Sequence, residues 1–185
     1  MLIKPILMSD FFSFYELEPA FILDQQLLRR KFLELSRKYH PDFYGVESDE
    51  KQAEALELSS KNNEAFKVLS DFDKRFAYIL NIHGLLDEQK NKNALPQNFL
   101  FEMMELNEAL SELENSCAQL AFEKLKAEIN NFKKKLFEAI EPDLSIYKKD
   151  SSDELLHKRL LEFYLKKKYL NRLEERLTAF KIDLL

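Results

Sequence analysis

The sequence predicts an all-α protein with two helical domains: an N-terminal antiparallel helix pair with short flanking helices, and a C-terminal three-helix bundle. Apolar residues recur at spacings of three and four along almost every segment of the 185-residue chain, and strand-type alternation is nearly absent. Hydrophobic residues make up 45% of the chain, which is typical of a folded protein with a buried core and not of a disordered one.

The first two helices of the N-terminal half have clear start and stop signals. Residues 10–17 predict a short helix that ends ahead of Pro19, because the residue before a proline avoids helical backbone. Asp24 is a good N-cap for a second helix, which runs to about Tyr39. His40 precedes a proline and should be extended, so the helix ends there. The apolar stripe of this second helix consists of Leu28, Phe32, Leu35 and Tyr39.

Two more helices complete the predicted N-terminal domain, residues 1–84. A long helix runs over about 49–69, and Asp71 can cap a short helix that Gly84 ends. Residues 85–95 are polar and precede a proline, so they predict a linker. The inner side of the long helix carries Leu58, Asn62, Ala65, Phe66 and Leu69.

The C-terminal domain, residues 96–185, shows three helical patterns, which favour a bundle. The stretch from Glu141 to Glu154 is predicted to break the second helix, and the third starts near Ser152. The core positions of the first helix are Phe99, Met103, Leu106, Leu110, Leu113 and Cys117. Those of the second are Ala118, Phe122, Leu125, Ile129, Phe132 and Leu136.

Composition excludes several classes of function. Two glycines cannot build a glycine-rich phosphate loop. The net charge of −5 lacks the basic excess of a nucleic-acid binder. A single cysteine, Cys117, excludes an internal disulfide and a multi-cysteine metal site, and we interpret it as a buried apolar residue. The N-terminus does not resemble a secretory signal, and no apolar stretch approaches the roughly 20 residues that span a bilayer. We expect a soluble, cytoplasmic protein without membrane contact.

His40, Pro41 and Asp42 stand side by side, which could indicate proton transfer, metal binding or protein docking. Proline restricts itself and its neighbour, so the three side chains do not easily converge. A catalytic dyad usually joins residues from separate elements, and metal ligands on a helix are three or four residues apart. A hydrolase that uses His40 and Asp42 is therefore a distant alternative to docking. The other alternative is an ordinary Pro-Asp turn that has only a structural role.

The helix before this stretch carries Arg29, Arg30, Lys31, Arg37 and Lys38 against one acid, Glu34, which gives +4 within ten residues of an acidic protein. A cationic helix beside an exposed polar loop suits an acidic protein partner. The pattern favours docking.

The stretches "RRKFLELSRKYHPD" and "NNEAFKVLSDFDKRFAYIL" closely resemble a J-domain, the module of DnaJ-type co-chaperones. In that family the HPD loop joins the helix pair, and the loop and the preceding basic helix bind a DnaK-class ATP-dependent chaperone and stimulate its ATPase. The resemblance places the HPD motif on His40, Pro41 and Asp42. It places the basic face on Arg29, Arg30, Arg37 and Lys38, and a further basic pair on Lys74 and Arg75, for which plain helix-surface charge is the alternative.

The rest of the chain lacks a Gly/Phe-rich linker and the zinc repeats of general DnaJ proteins. The segment "LPQNFLFEMMELNEALSELE" and the ending "LEERLTAF" are similar to the HscB-type J-proteins of iron–sulfur cluster assembly. The resemblance covers nearly the whole chain and is less specific in the C-terminal half. The N-terminal CxxC pair of some eukaryotic members is absent, which points to the bacterial form.

A helical wheel separates a second surface from the core of the first C-terminal helix. With Phe99 at zero and ~100° per residue, the five other core positions fall within about 40° of it. Phe101, Met104 and three glutamates fall on the opposite half, and Leu100 lies to one side. Exposed apolar residues beside carboxylates predict a partner surface, unless another part of the chain covers them.

The resemblance assigns this surface to the cluster scaffold, an IscU-type protein. The residues carried over are Leu100, Phe101, Met104, Glu105, Glu108 and Glu112, with Phe101 where some members have a methionine. We add Phe163 from the last helix, although it shares a side with Leu156 and Leu160 and could belong to the core.

The resemblance thus implies a two-site adaptor that is not an enzyme and has no cofactor. One site engages an HscA/DnaK-class chaperone, and the other delivers the scaffold as client. The nucleotide and the iron belong to the partners. The alternative is a J-protein that serves a general DnaK with a different client.

Overall fold

The computed structural model describes residues 10–87, 89, 91, 94–116, 119–147 and 153–182. Across these residues every regular element is a helix, which confirms the predicted all-α class. None of the helices in the described ranges is long and apolar enough to cross a membrane.

The described residues fall into two compact units. The first comprises residues 10–82 and Tyr147, and the second the remaining described residues from His83 onward. The two units divide between Ile82 and His83. The predicted domain boundaries at 84/85 and 95/96 stay a prediction.

The first unit contains four α-helices and a 3₁₀ turn within the described chain. Helix α1 spans Phe11–Phe14, α2 spans Gln25–Lys38, α3 spans Asp49–Leu69 and α4 spans Phe72–Ile82. The 3₁₀ turn, Pro41–Tyr44, lies between α2 and α3.

The predicted caps start these helices. The carboxylate of Asp24 accepts hydrogen bonds from the backbone N–H groups of Gln26 and Leu27 at 2.8 and 3.1 Å. Helix α1 ends at Phe14, earlier than predicted, and Glu16 beyond it has a φ of 53°. That left-handed backbone is a common way to leave a helix.

Asn62 ties the helix pair together inside the first unit. It is fully buried on the inner side of α3, as predicted. Its side-chain amide donates to the main-chain oxygen of Phe32 at 3.1 Å and to Oγ of Ser36 at 2.9 Å, both on α2. The hydroxyl of Tyr15 donates to its Oδ1 at 2.7 Å. A buried polar residue with its groups satisfied in this way holds α2 and α3 in one register.

Arg75 on α4 is 3% exposed, so its alternative interpretation as plain helix-surface charge is wrong, and its match to the basic pair of the family stays a prediction. Its Nε and Nη2 atoms donate to the main-chain oxygen of Phe21 at 3.1 and 3.0 Å, and its Nη1 donates to that of Leu69. Burial lowers the pKa of the guanidinium. Arg75 ties α4 to the end of α3 and to the chain before α2.

Within the described residues, three long helices form the second unit, in agreement with the predicted bundle. Helix α5 spans Gln97–Ser116, α6 spans Gln119–Ile146 and α7 spans Glu154–Ile182. One cluster of their buried apolar residues consists of Phe99, Met103, Leu106, Leu110, Leu113, Phe122, Leu125, Ile129, Leu170, Leu173 and Leu177. Phe132 and Leu136 pack against that cluster while partly exposed. The predicted core residues Cys117 and Ala118 lie outside the described residues.

The second bundle helix ends within the predicted stretch 141–154 but later than its start, because α6 continues through Pro142 to Ile146. A proline inside a helix removes one hydrogen bond and costs about 3 kcal/mol. Burial of Leu144 and a bidentate ion pair between Asp143 and Arg159 of α7 oppose that cost. The guanidinium nitrogens lie 2.6 and 2.9 Å from the carboxylate oxygens, and this hydrogen bonding raises the pKa of Arg159.

Candidate docking surfaces

His40 begins the turn that carries the HPD stretch. Its extended backbone ends α2, as the following proline predicts, and its Nδ1 accepts a hydrogen bond from the Asp42 N–H at 3.3 Å. Pro41 occupies the start of the 3₁₀ turn, where a missing N–H costs nothing. We call His40 and the turn Pro41–Tyr44 the HPD turn.

The HPD turn brings His40 and Asp42 closer than the sequence argument allowed. Nδ1 of His40 lies 3.6 Å from Oδ2 of Asp42. The tight 3₁₀ turn folds the aspartate back onto the histidine, which an extended dipeptide would not do. Both side chains are more than half exposed, at 53% and 85%. An exposed pair of this kind has no shielded cavity in which to transfer a proton to a bound substrate.

Tyr44 fastens the HPD turn to the helix before it, a role that sequence reasoning missed. Its hydroxyl donates to the main-chain oxygen of Lys38 in the last turn of α2, at 3.0 Å. The N–H of Phe43 donates to the oxygen of His40 at 3.1 Å, and that of Glu47 to the oxygen of Tyr44 at 3.0 Å. These bonds satisfy an end carbonyl of α2 and give the turn a defined shape. The only sequence signal is an aromatic residue six positions after a helix end.

The cationic face of α2 adjoins this turn and is exposed throughout. It consists of Arg29, Arg30, Arg37 and Lys38, as predicted. A shallow groove runs along it, in which Leu33 is the apolar member. The predicted exposure of the cationic face and of His40, Pro41 and Asp42 is therefore confirmed, while their role stays a prediction.

Lys74 is exposed on α4, and its Nζ lies 3.9 Å from Oδ2 of Asp71. Of the predicted basic pair, only this residue is on the surface. The described ranges contain no group of three or more His, Cys, Asp or Glu side chains that could hold a metal ion. What the first unit offers is a cationic, well-defined protein surface.

The second surface lies on α5, in the other unit. Leu100, Phe101 and Met104 are 40%, 65% and 65% exposed, whereas Met103 is fully buried between them. The helical wheel is thereby confirmed, because the two sets occupy opposite sides of one helix. Glu105, Glu108 and Glu112 are exposed as well. We call Leu100, Phe101, Met104, Glu105, Glu108 and Glu112 the acidic–apolar face.

Phe163 does not belong to the acidic–apolar face. It is 3% exposed on α7, and it lines a small cleft with Leu136 and Ile140 of α6. A ring that is buried in this way cannot contact a partner without opening the bundle, so its prediction as a binding residue is wrong and its core alternative is correct.

Tyr169 is an aromatic residue of α7 that contacts α5. Its hydroxyl lies 2.9 Å from the side-chain nitrogen of Asn107, which donates to it. Arg176 donates to Oδ1 of the same asparagine at 3.1 Å. These polar contacts hold α5 against α7 beside the acidic–apolar face. The contact between Tyr169 and Asn107 depends on how α7 is aligned along α5, which only the tertiary structure determines.

Residues 95–178 match the family described as the HSCB C-terminal oligomerisation domain. A co-chaperone protein HscB homolog of Neisseria meningitidis serogroup B is 31% identical over 130 residues, which make up 70% of this chain and 78% of that protein. The human iron-sulfur cluster co-chaperone protein HscB is 28% identical over 175 residues, which make up 95% of this chain and 70% of that protein.

Two solved structures share the fold. Chaperone HscB from Vibrio cholerae superposes with a TM-score of 0.72 and 23% identity, covering 96% of this chain and all of that one. The human co-chaperone HscB gives a TM-score of 0.76 at 23% identity, with 95% and 84% covered. Sequence and fold agree along both units, and the chain belongs to the HscB family of co-chaperones.

Proposed function

We propose that this chain docks through its HPD turn and cationic face on an HscA/DnaK-class ATP-dependent chaperone and stimulates its ATPase. We propose further that it delivers an IscU-type iron–sulfur scaffold protein as client. The observation that carries the proposal is an exposed, hydrogen-bonded HPD turn that directly continues a cationic helix.

The first unit suits a protein partner with an acidic surface. Four cations are exposed on α2, and such a surface accelerates association with an acidic patch and favours one orientation. The hydrogen bonds of Tyr44 and Phe43 hold the turn before binding, so little conformational entropy is lost on docking.

The second unit suits a client that combines an apolar pocket with basic residues. Phe101 and Met104 supply large apolar groups, and three glutamates flank them. Protein interfaces commonly combine an apolar centre with a polar rim. The name of the human relative connects that protein with iron–sulfur clusters, which supports a cluster scaffold as the client.

In this proposal the chain is an adaptor and not an enzyme. The chaperone supplies the nucleotide chemistry, and the scaffold carries the cluster. The chain supplies two separate surfaces, one on each unit, and hydrolysis in the chaperone would tighten its hold on the scaffold.

A reconstituted assay tests the proposal. The ATPase rate of a purified HscA-type chaperone is measured with the chain, with an IscU-type scaffold, and with both. We expect stimulation by the chain alone and a larger stimulation with both proteins. The same measurement with a general DnaK tests the alternative.

Stimulation of the general DnaK only, without scaffold binding in titration calorimetry, would favour a J-protein with a different client. No stimulation of either chaperone would refute the docking role.

A further inference from the structure

The HPD turn carries an apolar side chain that neither the charge pattern nor the motif explains. Phe43 is 71% exposed, although burying such a ring stabilises a protein by about 1.5–3 kcal/mol. It directly follows Asp42, at the third position of the 3₁₀ turn Pro41–Tyr44. The ring therefore stands at the surface within the motif proposed to dock on the chaperone.

Phe43 is also in contact with the histidine of the motif. The two rings pack edge to face, with their centroids 6.0 Å apart and an interplanar angle of 69°. This geometry is favourable for a pair of aromatic rings. The phenyl and imidazole rings thus form one continuous exposed surface.

The backbone of Phe43 is constrained on both sides. Its N–H donates to the oxygen of His40, and the next residue, Tyr44, is tied to α2 through its hydroxyl. A phenylalanine side chain has two rotatable bonds, so it loses little conformational entropy when a partner covers it. An exposed aromatic ring on a constrained turn, bordered by charged groups, is typical of an interface hot spot.

We propose that Phe43 is the apolar anchor of the chaperone-docking surface. It inserts into an apolar pocket of the chaperone, next to the acidic patch that binds the cationic face. This inference rests on the proposed function of the HPD turn. It adds a requirement on the partner, because charge complementarity alone would not select a surface that has such a pocket.

The test measures ATPase stimulation of a purified HscA-type chaperone across a range of co-chaperone concentrations. For Phe43→Ala we expect the half-maximal concentration to rise at least about tenfold, which corresponds to about 1.4 kcal/mol. The maximal stimulation at saturation should be retained. Phe43→Leu, which keeps an apolar group, should recover most of the affinity.

Two controls match this change. Leu155→Ala truncates an apolar residue at similar exposure, 62%, on α7 in the other unit, and should stimulate like the parent protein. Val46→Ala truncates a residue that is 97% exposed just beyond the same turn, and should have less than a threefold effect.

His40→Gln distinguishes failure of the apolar anchor from failure of the docking role. If His40→Gln loses stimulation while Phe43→Ala behaves like the parent protein, the anchor is refuted and the docking role stands. If His40→Gln stimulates normally, the docking role itself fails. Equal weakening by Phe43→Ala and Val46→Ala, or no recovery in Phe43→Leu, would also contradict an apolar anchor at Phe43.

Discussion

Nδ1 of His40 lies 3.6 Å from Oδ2 of Asp42, on the exposed side of a 3₁₀ turn at the end of α2. The same nitrogen accepts the Asp42 N–H at 3.3 Å. The two side chains therefore present one joint polar surface, and neither is packed against the core.

This exposure predicts that His40→Gln separates folding from function. Because little packing is lost, the free energy of unfolding should change by no more than ~0.5 kcal/mol. Stimulation of the chaperone ATPase should be nearly abolished. Chemical denaturation and the ATPase assay measure the two effects, and unfolding of the variant would show that the histidine serves the fold.

Charge reversal on α2 should weaken docking through the rate of association. The double variant Arg30→Glu, Arg37→Glu should lower the association rate by about tenfold or more, and raising the salt concentration should lower the rate of the parent protein in the same direction. Stopped-flow measurement with the purified chaperone tests this.

Arg172→Glu reverses an exposed arginine on α7, in the other unit, and is the matched control. It should leave chaperone association unchanged. Scaffold binding should be unaffected by the α2 variants, and loss of both activities in them would indicate that these arginines support the fold.

On α5, truncation of exposed apolar residues should weaken scaffold binding, whereas truncation of a buried one should weaken folding. Phe101→Ala and Met104→Ala should each cost about 1–3 kcal/mol of scaffold binding, because large exposed apolar residues act as anchors. Their thermal midpoints should stay close to that of the parent protein. Leu106→Ala, on the buried side at 3% exposure, should cost folding about 2–5 kcal/mol.

Calorimetric titration with the scaffold and thermal unfolding of the three variants provide the comparison. Chaperone stimulation without scaffold should be intact in the two surface variants. Early melting of Phe101→Ala and Met104→Ala, as early as Leu106→Ala, would mean that the acidic–apolar face is covered in solution.

Burial of the Tyr15 hydroxyl predicts a loss of stability at alkaline pH. It is 1% exposed, and burial raises the pKa of its hydroxyl above the usual value of about 10. A group whose folded pKa is raised contributes stability that is complete below the unfolded pKa and declines as pH rises above it. Stability should therefore fall as the pH rises from about 10.

Tyr15→Phe should remove this part of the pH dependence. At neutral pH it should cost about 1–3 kcal/mol, because Oδ1 of Asn62 loses the hydroxyl that donates to it. Tyr44→Phe is the matched control, since that ring is only half-buried, and it should keep the alkaline decline. Urea unfolding at a series of pH values distinguishes the two, and equal slopes in both variants would contradict the assignment.

Arg75 and Lys74 are neighbours in the sequence, but their substitution should have very different effects on stability. Arg75→Met should destabilise the first unit by about 2–4 kcal/mol, because the buried main-chain oxygens of Phe21 and Leu69 lose their donor. Lys74→Met removes an exposed charge and should change stability by less than ~0.5 kcal/mol. Thermal or urea unfolding measures both, and a mild effect of Arg75→Met would show that water replaces the guanidinium.

Sequence periodicity was enough to predict the all-α class and the buried side of α5. Both follow from short-range properties: the 3.6-residue helical repeat places Phe99, Met103 and Leu106 on one side whatever they pack against. The N-cap at Asp24 and the extended backbone of His40 are equally local, since each depends on the residue itself and its immediate neighbours.

The tertiary structure decided which side chains the rest of the chain covers. Phe163 and Arg75 each lie on a helix whose pattern permits either burial or exposure, and only the neighbouring elements place one in the core and the other against the carbonyl of Phe21. Pro142 stays helical because the ion pair between Asp143 and Arg159 and the burial of Leu144 act across the bundle. By itself the sequence determined the helices and their apolar sides, whereas long-range packing determined which charged, aromatic and proline residues those helices could accommodate.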